Sequence, residues 1–410
     1  LSDAEILTLS SHQYSGQVTI ESQAQGNLQL NDSSVITGKK IKTKAIIEIE
    51  LPNNKEKQIT FSGTFDLGNT ESESGNVFFF SSGNLNLNNV IIESNTKGDQ
   101  NAGKVNIYSL GDITLSNTDI LSTTNAQGDA GEITIETPQN IQLTNKSKLI
   151  ASTESIGNAG LIDIEANNLI LDKNTSLITE TASAGDPGAI TIEAKSIDIG
   201  ENAKISATVL IGSTSPGNGG NITINTNQLN ITGKLGIFAE TESSGNAGIL
   251  SLSPYKNNPD LNIELSNNGS ISASTSSTGN GGNIIIKATD NISLKGKGFI
   301  ATEASGTGNA GTIEIVTNNL RISNGVAISA STKNKGDAGQ IKIDTTDFTL
   351  KKGTSLTTES SSAGLPGDIV INTQKLIIGK NSQISATAKK GASNTEAVSY
   401  THLRAHETVM

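Results

Sequence analysis

Three glutamates, Glu180, Glu240 and Glu359, recur at one position of a repeated segment, preceded by Thr179, Ala239 and Thr358. Carboxylates clustered on one face, often with Lys or Arg, are what an enzyme needs to cleave a polysaccharide. These three fall in non-adjacent copies of the segment, with Ser or Thr in the copies between. The spacing therefore predicts carboxylates several copies apart on a solvated polar face instead of a catalytic pair. Asp99, Asp129, Asp186 and Asp337 lie near glycine-rich corners, where GDAG has the look of a calcium-binding repeat. Those repeats recur every nine residues, and calcium takes six to eight oxygens. Here the interval is about 28 residues, and Asn stands at the matching site as Asn158, Asn218, Asn246, Asn280 and Asn309. An Asx turn or a stacked Asn ladder is the expected role.

Other chemistries lack their parts. The chain has three histidines, His12, His402 and His406, and no cysteine. Neither a Ser-His-Asp nor a Cys-His arrangement can be assembled, and a disulfide framework or Cys-ligated zinc is excluded. The glycine corners precede strand patterns instead of opening helices, so they are not phosphate cradles. No catalytic residue, cofactor or metal site is expected. A net charge of −11 with two arginines, Arg321 and Arg404, argues against nucleic acid as partner. No apolar run reaches the roughly 18 residues of a membrane-spanning helix, so no transmembrane segment is expected. Ser272 and Ser274, Ser329 and Ser331, and Ser385 and Thr387 form hydroxyl pairs suited to ice or glycan. Ile150, Phe238 and Ile300 break that lattice, which speaks against ice.

The elements that must carry these residues are read from the stretch GDAGQIKIDTTDFTLKKGTSLTTESSSA, beginning at Gly336. Ile341-x-Ile343, Phe348-x-Leu350 and Leu356-x-Thr358 alternate strictly, the period of a strand with one buried face. Glycine corners at Gly75, Gly103, Gly131, Gly160, Gly188, Gly220, Gly248, Gly282, Gly311, Gly339 and Gly367 are separated by 28, 28, 29, 28, 32, 28, 34, 29, 28 and 28 residues. A fixed period in this range marks a repeat architecture. The long intervals hold extra residues around Val209–Pro216 and Pro254–Pro259, in loops that leave the inward residues in step. Ile133 and Ile135, Ile141 and Leu143, and Leu149 and Ala151 exemplify the three inward pairs, and Leu229 and Ile231 are aligned with Leu320 and Ile322. Gly and Asn are expected at the corners to supply positive φ. With 3% aromatics and no Trp, a narrow Ile/Leu/Val core fits better than a thick globular one.

The fold class is therefore all-β, a single-stranded parallel β-helix (β-solenoid) with three short strands and about 28 residues per coil. Residues 1–74 read as irregular N-terminal coils with an insertion over about 38–72. Residues 75–396 are regular repeats, and 397–410 a tail with neither inward column nor glycine corner. The tail segment VSYTHLRAHET resembles translated sequencing-adapter sequence, so no function is assigned to His402 or His406. The chain opens at Leu1 without a basic leader, and is expected to be a fragment of a longer protein.

The unit GNAGxIxI…LxL…IxAxT, clearest from Gly217 and from Gly308, resembles the repeat region of filamentous haemagglutinin-family exoproteins of cyanobacterial type over about residues 75–394. That resemblance implies a right-handed β-helix, export by the two-partner route through an outer-membrane β-barrel transporter, and adhesion at the cell surface to a glycan or protein. The family's NPNL-type secretion motif is missing: Leu51 to Asn54 reads LPNN. The expected function is that of a secreted, extracellular structural and adhesive protein that is not an enzyme. The alternatives are the stalk of a carbohydrate-active enzyme or a catalytic β-helix acting on polysaccharide.

Overall fold

The computed structural model describes residues 76–388, apart from 82, 97–98, 183–184, 211–216 and 363. It also places the backbone of five earlier strands, Glu5–Thr8, Val18–Glu21, Gln29–Thr37, Ile46–Glu50 and Gln58–Asp66. Every element among the described residues is a strand, and the strands pair in parallel from coil to coil. The fold is a parallel β-solenoid with three strands per coil. The chain divides into two compact units, Leu1–Ala194 with Ala203–Ser206, and Lys195–Asn202 with Ala207–Met410.

In unit 1, Ile133 is paired with Val105 of the preceding coil and Ile162 of the next. Ile141 lies between Ile113 and Leu169, and Leu149 between Ile120 and Leu177. All nine side chains are completely buried. Alternation forces this, because successive side chains point to opposite faces and parallel pairing keeps each face in register. Burying each Ile or Leu contributes about 1.5–3 kcal/mol. The third strand turns its second inward position into a narrow corner. Ala151 and Thr179 in unit 1, and Ala239, Ala273, Thr302, Ala330 and Thr358 in unit 2, are all completely buried there.

Within the stretch 38–72, the strands Ile46–Glu50 and Gln58–Asp66 run parallel to their neighbours. Ile47 pairs with Val18 and Val77, and Thr60 with Gln29 and Asn86. The remainder of that stretch, His12, the loop at 211–216 and the tail at 397–410 lie outside the described residues.

One expectation about the corners is corrected. Among the described residues the corner glycines do not supply positive φ. They sit where one coil's backbone presses on the next: a Cβ on Gly160 would lie 1.7 Å from the Gly131 carbonyl oxygen, and one on Gly311 1.7 Å from that of Gly282. Apart from Lys256 (φ 52), in the loop between first and second strands, positive φ belongs to the turn between second and third strands, mostly at Asn, such as Asn117 (φ 47) and Asn324 (φ 67). Asn tolerates this left-handed conformation at lower cost than other side-chain-bearing residues.

The long coil after Gly248 also changes the register. Leu229 pairs with Ile263, which pairs with Leu294, which pairs with Ile322. Leu229 is thus aligned with Ile322 and not, as counting suggests, with Leu320. The slip is two residues, which leaves every side chain on its original face. It is absorbed where Leu265 faces Gly296, whose φ is 110 and whose added Cβ would stand 1.8 Å from the Leu265 carbonyl oxygen.

Candidate functional site on the corner and third-strand face

Two columns just outside the core hold most of the polar side chains singled out in the sequence. The first stands two residues before each corner glycine. In unit 1 the Asn101 Oδ1 accepts the Asp129 N–H at 2.9 Å, Asp129 accepts the Asn158 N–H at 2.7 Å, and Asn158 accepts the Asp186 N–H at 3.0 Å. In unit 2 the chain runs Asn218, Asn246, Asn280, Asn309, Asp337, and ends on the Leu365 N–H at 2.8 Å. Each side-chain oxygen takes up a backbone donor of the next coil. Asn and Asp both offer that oxygen, which is why either serves. Asp129, Asp186 and Asp337 are thus rungs of a capping ladder. Asp99 lies two residues earlier, outside the column. Among the described residues no group of three or more His, Asp or Glu is placed to hold a metal ion.

The second column is the outward position of the third strand, eight residues before the corner glycine in most coils. It reads Asn95, Thr123, Ser152 and Glu180 in unit 1, and Glu240, Ser274, Glu303, Ser331 and Glu359 in unit 2. Sequence reasoning missed Glu303, although subtracting eight from Gly311 finds it. With Glu303 included, the unit 2 carboxylates stand in every second coil, about 10 Å apart at two coil steps, and not several coils apart. Alternation with serine separates the charges.

Each glutamate is tied to its neighbours. In unit 1, Glu180 Oε1 accepts from Lys204 Nζ at 2.8 Å and from the Ser206 hydroxyl at 2.5 Å, while its N–H donates to Ser152 Oγ at 3.0 Å. In unit 2 the Ser272 hydroxyl donates to Glu240 and stands 2.8 Å from Ser274 Oγ, which accepts the Glu303 N–H at 2.9 Å. The motif then repeats: Ser329 donates to Glu303 at 2.8 Å and stands 3.0 Å from Ser331, which accepts the Glu359 N–H at 3.0 Å. A hydroxyl has one proton to give. The arrangement that satisfies every group has Ser272 serving Glu240 while accepting from Ser274, and Ser329 serving Glu303 while accepting from Ser331. Of the residues read as breaking the hydroxyl lattice, Ile150 and Phe238 are half-buried on this face. Ile300 is not on it: its side chain is completely buried in the core, and Ala301 takes the outward place.

Burial pushes the Glu240 carboxyl above its ordinary range; the Ser272 hydroxyl opposes this and Glu242 adds to it. On the first-strand face of unit 1, Glu136 pairs in register with Glu165, with Glu132, Asp163 and Glu193 close by. Partial burial raises Asp163, and the repulsion of Glu132, Glu193 and Glu165 raises it further.

The ten corner glycines Gly103, Gly131, Gly160, Gly188, Gly220, Gly248, Gly282, Gly311, Gly339 and Gly367 flank these ladders. Several bind across the corner: the Gly160, Gly248 and Gly282 N–H groups donate to the carbonyls of Ala151, Ala239 and Ala273 at 2.8, 2.9 and 2.8 Å. Fold and ladders together define the class, a β-solenoid repeat protein with coil-to-coil polar ladders. Compared with known families, curated proteins and solved structures, the chain matches none.

Proposed function

We propose that this chain is a non-catalytic β-solenoid segment of an exported surface protein of the filamentous haemagglutinin kind, acting outside the cell in attachment. A dedicated outer-membrane β-barrel transporter would be its export partner. The observation that supports this reading best is the use made of the outward glutamates. Glu180, Glu240 and Glu303 each accept a hydroxyl or ammonium hydrogen bond from a neighbouring coil, and Glu359, whose carboxylate accepts from Ser361 of its own coil, is tied to the preceding coil through its N–H, so the residues best suited to chemistry help bind coil to coil. What then recurs outward is a repetitive polar surface, which suits multivalent contact.

A second reading has one observation in its favour. Glu240 is a buried carboxyl with a raised pKa, as a general acid requires, and Glu303 stands about 10 Å away, slightly beyond the roughly 6.5–9.5 Å separation used by inverting glycosidases. The test uses the purified chain of 410 residues. Beads coated with it are scored for adherence to glycan- and cell-coated surfaces, and the soluble chain is assayed for release of sugar ends from a polysaccharide panel. Adherence without turnover is the expected result. Turnover that disappears in Glu240→Gln would replace the adhesive reading with the catalytic one.

A further inference from the structure

The acidic balance of the chain conceals one basic surface. The stretches 290–298, 318–326, 346–354 and 374–382, which carry the second strand and the turn after it, hold seven Lys or Arg against two Asp, a net of +5. The matching stretches of six earlier coils, 110–118, 138–146, 166–175, 194–203, 227–235 and 258–269, hold four Lys against six Asp or Glu, a net of −2. In unit 2, Arg321, Lys351, Lys352 and Lys375 line one groove of about 510 Å³, with Asp347 as its acid. A second hollow of about 530 Å³ shares Lys351 and Lys352 and adds Lys380.

These cations differ from others of the same unit. Lys287, Lys295, Lys333 and Lys342 each stand within 4 Å of a glutamate carboxylate. Arg321, Lys351, Lys352, Lys375 and Lys380 are exposed, and among the described residues none takes part in an ion pair. Lys352 moreover occupies a left-handed turn position, φ 59, where the preceding coil has Asn324. A lysine held in that conformation costs more than the asparagine of the preceding coil, a cost also met at Lys146 (φ 68) and Lys256 (φ 52).

We propose that this groove docks an extended acidic polysaccharide carrying carboxylate or sulfate groups. The proposal deepens the adhesive reading and rests on it. The cations recur once or twice per coil, so positive charge is offered every 5 Å or so across the coils. That suits a polymer with sparse, regular anionic groups. Ser293 and Thr349 bring hydroxyls to the groove for sugar hydroxyls, and Ile377, 39% exposed, offers an apolar contact for a ring face. Duplex DNA fits less well. Its charges are packed about every 1.7 Å, more densely than the cations recur, and Asp347 stands among those cations.

The test is a titration of the fluorescently labelled full chain with polygalacturonate, dextran sulfate, neutral dextran and duplex DNA at low and high salt. Binding is expected to one or both acidic polysaccharides, weakening as salt rises, with none to dextran. The two acidic polymers separate carboxylate from sulfate recognition. The triple variant Lys351→Glu, Lys352→Glu, Lys375→Glu should lose affinity at least about tenfold with an unchanged circular dichroism spectrum. Lys352→Asn, which relieves the turn, should lose about twofold while unfolding no earlier. Absence of binding to both acidic polymers, equal binding by the triple variant, equal binding of dextran, or tighter binding of DNA would each overturn the proposal. Its failure is distinguishable from failure of the adhesive reading. Beads that adhere while the soluble chain ignores both acidic polymers sink only the groove; beads that do not adhere while the groove binds sink only adhesion.

Discussion

Glutamate is stacked under two different rules on the first-strand face of unit 1 and the third-strand face of unit 2. On the first-strand face of unit 1, Glu136 and Glu165 face each other in adjacent coils, and Asp163 is held above its ordinary range partly by its acidic neighbours. On the third-strand face of unit 2, Glu240, Glu303 and Glu359 are kept apart by Ser274 and Ser331, whose hydroxyls take up the backbone N–H groups of Glu303 and Glu359. In-register parallel pairing repeats any side chain at the coil spacing of about 4.8 Å, a distance at which like charges repel measurably even near the surface. A charged column is therefore tolerated where side chains reach solvent and is diluted where they are half-buried.

The comparison can be broken from either side. The largest effect should come from neither face but from the glycine column that sets how closely coils approach. Gly311→Ala should destabilise by about 3 kcal/mol or more, because its Cβ cannot occupy a point 1.7 Å from the Gly282 carbonyl oxygen without moving backbone; thermal unfolding followed by circular dichroism measures this. Ser331→Glu would impose the unit 1 rule on unit 2, placing glutamate in three successive coils at 303, 331 and 359. The lost cap and the added repulsion should together cost about 2 kcal/mol at neutral pH and low salt, and salt should restore part of it. A salt-independent loss would show that the serine serves only as a cap.

Glu240→Gln should sharpen the contrast. It keeps an oxygen for the Ser272 hydroxyl and removes a buried charge, so stability at neutral pH should rise by about 1 kcal/mol. The sign with pH follows from the raised folded-state pKa. The Glu240 contribution is fully present below its ordinary value of 4.5 and is lost as pH rises through the folded value. The advantage of the variant over wild type should accordingly vanish in acid. The smallest effect is expected for Asp163→Asn. Asp163 also has a raised pKa and the same sign, but its carboxyl is only partly buried, and solvent screening leaves only a few tenths of a kcal/mol. That gain should shrink further in high salt, whereas the gain from Glu240→Gln should not, since salt screens exposed neighbours and not burial.

Much of this was legible in the residues alone. Strict alternation at Ile133 and Ile135, or Ile341 and Ile343, names the buried face, and the corner spacing names the coil. The capping ladder was legible too, since Asn and Asp share the one atom it uses. Glu303 was legible but overlooked. The destination of the six-residue excess after Gly248 was not. Pro254–Pro259 marks a loop, yet only the packed coil reveals that the second strand slides by two residues until Leu265 meets Gly296. The cause assigned to the corner glycines was wrong, because a glycine needed for positive φ and one needed for close approach look the same in a sequence.

What the chain determines by itself is which side chains face inward and how often the pattern returns, because period and parity are local properties of an alternating strand. What only the tertiary structure decides is which residues become neighbours across coils. Arg321, Lys351 and Lys375 are tens of residues apart and share one groove, and Glu240 loses solvent where Ser272 closes over it. Both follow from how far each coil advances and where each loop absorbs its excess, and those are settled only when the coils stack.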